Sequence, residues 1–106
     1  TRAMEAWAHV VKSMADFKEG DSTLLDRSLL LANTDSNLAQ IHQLRGIPIM
    51  TAGSAGGQLK TGIHVDGHGA PGTMVTLTAM RAMGLKLGEF GFGGNKVQQS
   101  VSEVVA

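Results

Sequence analysis

The chain has 106 residues, 42% of them hydrophobic, and its nine basic and nine acidic side chains cancel to a formal charge of zero. That length allows one small domain with a modest core, and the neutral balance gives no electrostatic reason to expect nucleic acid or an anionic membrane as partner. With no cysteine, disulfides and thiolate metal sites are excluded, and no apolar run approaches the ~20 residues that span a bilayer. The opening, Thr1-Arg2-Ala3-Met4-Glu5, lacks the order of a signal peptide, a basic region leading into an apolar one. It enters a helical pattern almost at once, as a cut through an element does, so the expectation is the C-terminal part of a larger protein.

Residues 2–18 read as an amphipathic helix. Trp7, Val10, Val11, Met14 and Phe17 recur at the spacing that gathers side chains on one face, while Glu5, Lys12, Asp16 and Lys18 take the solvent side. Gly20 is placed to end it, and 20–23 is a polar turn. Residues 28–32 are expected to form a strand buried on both faces, as in a parallel sheet, with turn-forming residues from Asn33 to Asn37 at its C-terminal end. A second strand is expected over 47–52, with Pro48 near its start, where a missing donor is tolerated. Gly53 to Gly57 is a loop and 58–65 an extended arm. A second helix over 73–83 has Leu77, Met80 and Met83 on its apolar face, Thr73 as cap and Gly84 as stop. The tail 97–106 reads as a short helix or a packed strap.

Helix, strand, strand, arm, helix and tail predict an α/β fold: a partial three-layer sheet with flanking helices, one C-terminal subdomain spanning 1–106. Two apolar strands make a poor sheet by themselves. The rest of the sheet is therefore expected from an N-terminal part of the same protein, or from self-association through a sheet edge.

Two clusters have the residue types of a metal site. In His64-x-Asp66-x-His68, period-two alternation in an extended segment puts two imidazoles and a carboxylate on one face, a set that suits zinc or iron. Gly67 and Gly69 oppose that alignment, and polar residues in a solvated loop are the plainer explanation. Asp35, Asn37 and His42 follow the first strand at its C-terminal end, where open α/β sheets place ligands. They offer divalent-metal ligands or an acid/base set, although Asp and Asn are also ordinary turn residues. The run from Ala52 to Gly57 with Lys60-Thr61 lacks the contiguous Gly-Lys-Thr of a phosphate loop, so tight turns explain its glycines better.

Residues 24–106 resemble the C-terminal region of a bacterial family of uncharacterised proteins named for a His-x-x-Ser-His-His motif. The resemblance is carried by residues 24–30 (Leu-Leu-Asp-Arg-Ser-Leu-Leu), 47–53 (Ile-Pro-Ile-Met-Thr-Ala-Gly), Ala55-Gly56-Gly57 and 59–64, and by Leu77-Thr78-Ala79-Met80 with Met83-Gly84. His42 matches a histidine that members carry before the Ile-Pro strand. The naming motif does not occur in these residues. Ala70-Pro71-Gly72-Thr73-Met74 stands where members often have Asp-Pro-Val-Thr-Arg, and Phe90-Gly91-Phe92 where they often have Trp-Gly-Thr. The resemblance implies an exported parent, periplasmic or extracellular. It also implies a distant similarity to sulfatases and alkaline phosphatases, which hydrolyse esters with divalent metals and keep late metal ligands near the position of Asp35, Asn37 and His42. A non-catalytic structural or interaction module is the alternative, since no motif here is self-sufficient.

Overall fold

A computed structural model describes residues 1–36 and 46–106. Helix α1 runs over Arg2–Asp16. The half-buried Trp7, Val11, Met14 and Ala15 share one line along it and face the chain. It stops at Phe17, whose backbone is extended (φ −83°, ψ 112°). The chain then enters a small antiparallel hairpin of β1 (Lys18–Glu19) and β2 (Ser22–Thr23). Gly20, at φ 62°, shapes the two-residue turn of that hairpin instead of capping the helix. The polar stretch 20–23 is therefore half turn and half strand.

A one-turn 3₁₀ helix, Leu25–Arg27, follows. Thr23 and Asp26 brace its entry reciprocally: the Thr23 N–H donates to the Asp26 carboxylate (2.9 Å) and the Asp26 N–H to the Thr23 hydroxyl (3.2 Å). This Thr-x-x-Asp exchange follows the logic of a capping box. The Thr23 N–H, and after it the Thr23 side chain, favour the ionised form by hydrogen bonding and hold the Asp26 carboxyl below its usual range.

Strands β3 (Leu30–Asn33) and β4 (Ile49–Ala52) pair antiparallel, Leu30 opposite Ala52 and Asn33 opposite Ile49. This corrects the expected parallel strand buried on both faces. Leu30 and Ala32 are half-buried while Leu31 and Asn33 are exposed, the alternation of a sheet with one wet face. Strand β3 also starts two residues later than expected, because Ser28 is engaged elsewhere: its hydroxyl donates to the Leu24 carbonyl and its own carbonyl accepts from Ala55 N–H. Pro48 precedes β4 and costs no ladder bond. The described residues thus combine helices with two two-stranded antiparallel sheets and show no three-layer sheet.

Helix α2 spans Thr73–Ala82. Gly72 occupies its N-cap position, and the Thr73 hydroxyl donates outward to the Asn95 carbonyl (2.5 Å). At the other end Gly84 (φ 98°) donates to Arg81 O and Leu85 donates to Met80 O, the paired bonds of a Schellman stop. The expected arm 58–65 is extended only around Leu59, which bridges Val105. The tail forms a strap with a 3₁₀ turn at Ser102–Val104. Lys60 N–H donates to Val104 O (2.7 Å) and Ala106 N–H to Gln58 O (3.0 Å), tying the strap to the loop after β4.

The core among the described residues is small: Leu77 is the one large side chain fully buried, with Ala55 and Leu59 beside it in the buried class. A folded monomer of 11.1 kDa is expected to expose about 5,700 Å², yet this chain exposes 7675 Å². Its radius of gyration, 14.8 Å, likewise exceeds the about 13 Å of a compact domain of this length.

Candidate functional site

Asp35 lies two residues past the end of β3 with its side chain exposed. Its neighbour Ser36 is buried and directs its hydroxyl at the Asp35 carboxylate across a long 3.5 Å. Asn37 and His42, the other two residues expected there, lie outside the described residues.

His64, Asp66 and His68 are all exposed and none belongs to a strand. The Asp66 carboxylate accepts the His68 backbone N–H (2.8 Å), an Asx turn, and its second oxygen lies 3.7 Å from His68 Nδ1. His68 itself sits at φ 48° and Gly69 at φ 79°. The left-handed residues turn the chain where period-two alternation would have had to continue. Among the described residues no group of three or more His, Asp or Glu side chains is placed to hold one metal ion.

Three successive N–H donors of the glycine-rich loop are engaged within the chain. Ala55 N–H goes to Ser28 O, Gly56 N–H to Asp26 O and Gly57 N–H to Ser54 O, while the Ser54 hydroxyl donates to Asp26 O. A phosphate cradle needs such N–H groups free and convergent; here they fasten one loop to another. Gly53 is indispensable to that contact: at φ 91°, a Cβ there would lie 2.3 Å from Ser28 O and 2.7 Å from Leu25 O. Ala55, at φ 50°, accepts an unfavourable backbone region to complete it.

Two polar anchors on α2 were not singled out from sequence. The buried Thr78 hydroxyl donates to Met74 O (2.7 Å) and accepts Val101 N–H (2.8 Å). Arg81 donates to Leu87 O, Gly88 O, Gln98 O and the Ser100 hydroxyl, gathering two segments around one guanidinium. The only sequence cue was a cation in the last helical turn, where it complements the helix dipole. Nearby, Glu89 pairs with Lys96 (3.1 Å) and also accepts from Gln98, which lowers its carboxyl pKa. Two shallow, adjoining grooves share Met74, Gln98 and Gln99; Lys96 lines one of them and Arg81, Ser100 and Ser102 the other. Neither groove wall contains a histidine or carboxylate to act as base.

The most conspicuous surface is apolar. Phe92 is 87% exposed, on a turn pinned by two backbone bonds between Phe90 and Val97. Met83, Leu85 and Leu87 follow α2 in the same exposed class, and Val10 on α1 and Phe17 just past its end are exposed as well. No helix among the described residues is long and apolar enough to cross a membrane. No family profile, curated protein or solved structure matches the chain.

Proposed function

We propose that this chain is a non-catalytic structural or interaction module whose apolar surface is covered by another protein surface. One observation carries it: the chain exposes about 2,000 Å² more than a monomer of its mass should, and large apolar side chains such as Phe92, Phe17 and Met83 contribute to the exposed surface. Large apolar side chains left in water on a chain this extended favour burial against a further surface. The same feature fits a C-terminal part of an exported protein of the His-x-x-Ser-His-His family, packed against the remainder of its own α/β domain.

A second reading is a metal-dependent hydrolase of phosphate or sulfate esters. It is favoured by the exposed carboxylate of Asp35 just past the C-terminal end of β3. The metal would polarise the ester oxygen, and Asp35, Asn37 and His42 would hold it.

The two separate cleanly. For the purified chain and its His42→Ala variant, metal content by plasma mass spectrometry, ester hydrolysis and hydrophobic-dye fluorescence are measured together. The module binds dye while retaining helical circular dichroism, and carries no stoichiometric metal. Near-stoichiometric metal that disappears in the variant, together with hydrolysis, overturns it in favour of the hydrolase.

A further inference from the structure

Helix α1 has two apolar lines, and the chain uses only one. Trp7, Val11, Met14 and Ala15 are half-buried, and the helix touches the 3₁₀ turn Leu25–Arg27 and β2. Ala3, Ala6, Val10 and Ser13 form a second line on the neighbouring face, continued by Phe17 where the helix ends, and all five are exposed. Val10 is 46% and Phe17 59% exposed. An isolated helix of this length is marginal in water, so a second packing face stabilises it.

The geometry points to a second copy of this chain as the occupant, with α1 packed antiparallel on its counterpart about a two-fold axis at Val10. This rests on the interaction-module reading and names its partner. Two features of the line favour self-pairing. The first is size: with Val10 opposite its own copy, Phe17 falls level with Ala3 near the middle of the face, a large side chain meeting a small one. Small residues let helix axes approach closely, and interdigitation of large with small is what close packing requires.

The second is charge. The polar flank beside the line carries Arg2, His9 and Asp16. In an antiparallel pair like flanks face each other, so Arg2 of one copy comes level with Asp16 of the other, twice by symmetry. At 1.5 Å per residue Arg2 lies about 12 Å from Val10 and Asp16 about 9 Å on the other side, a mismatch of about 3 Å that an arginine side chain spans. The zero net charge of the chain adds no repulsion between copies.

Sedimentation equilibrium of the intact chain from about 1 µM to about 500 µM tests the pairing. A concentration-dependent dimer is expected. Val10→Glu brings two carboxylates together on the axis and should abolish it. Arg2→Glu and Asp16→Arg should each weaken association about three- to tenfold, as exposed ion pairs counted twice allow, and the double variant should recover it. Circular dichroism of each variant confirms that α1 persists, since Asp16 also pairs with Lys12 within the helix. A monomer at every concentration, or a dimer indifferent to Val10→Glu, or a double variant no better than the singles, overturns the pairing. A monomer that still binds hydrophobic dye overturns the pairing alone and leaves the module reading standing.

Discussion

From β3 onward to the strap, the chain closes on itself through backbone groups: the Gly53–Lys60 loop is fastened to Asp26, Ser28 and the tail, and α2 is fastened through Thr78 and Arg81. Helix α1 is the opposite case. It has no side-chain cap at its start, and no residue on it is buried. One region is specified by polar contacts that have a single solution, the other by an apolar line that any complementary surface satisfies. On the module reading proposed above, stability and recognition fall to different parts of a small molecule.

Substitutions sharpen that division. Leu77→Ala should be the most damaging, at about 2–5 kcal/mol, because it empties the one fully buried large position among the described residues. Chemical denaturation reads this directly, and a loss below about 1 kcal/mol would show that the core does not hold the closed region. Gly53→Ala should follow, destabilising by more than about 1 kcal/mol, since the added methyl meets backbone oxygens and the left-handed φ is strained. Thr78→Val keeps the shape but strands the Val101 N–H, at a cost of about 1–3 kcal/mol; hydrogen exchange at Val101 should accelerate in step.

The smallest effect is in acid. Asp26 and Glu89 have carboxyls held below their ordinary values of 3.8 and 4.5 by hydrogen bonds present only in the fold. A depressed carboxyl stabilises the fold above its ordinary value and ceases to as pH falls through the folded value. A shallow loss of stability should therefore begin below about pH 4.5, and Asp26→Asn should flatten part of it. Both groups are exposed, so the loss should stay slight beside that from Leu77→Ala.

Much of the helical framework was legible in the residues. Trp7, Val11 and Met14 declared α1, and Gly84 marked the end of α2. The strands were legible in existence but not in pairing, because a short apolar run such as Leu29-Leu30-Leu31 fits either a parallel or an antiparallel neighbour. The loop fastening was invisible, since backbone carbonyls at Asp26 and Ser28 leave no trace in side-chain identity. Of the proposed ligands, Asp35 lies two residues past β3, while Asn37 and His42 are outside the described residues. His64, Asp66 and His68 were read against a period that left-handed backbone at His68 and Gly69 interrupts.

Gly53 has one more consequence. Pressed against the carbonyls of Leu25 and Ser28, it acts as a dowel between the end of β4 and the approach to β3. A two-residue slip of the pair would preserve which face each side chain occupies, so hydrophobic alternation alone would not forbid it. The dowel does, because the slip would drive a side chain into the space that only hydrogen can fill. The outward row of Leu31, Asn33 and Thr51 is therefore held at one fixed phase along the strands, so whatever meets that face meets the same pattern every time.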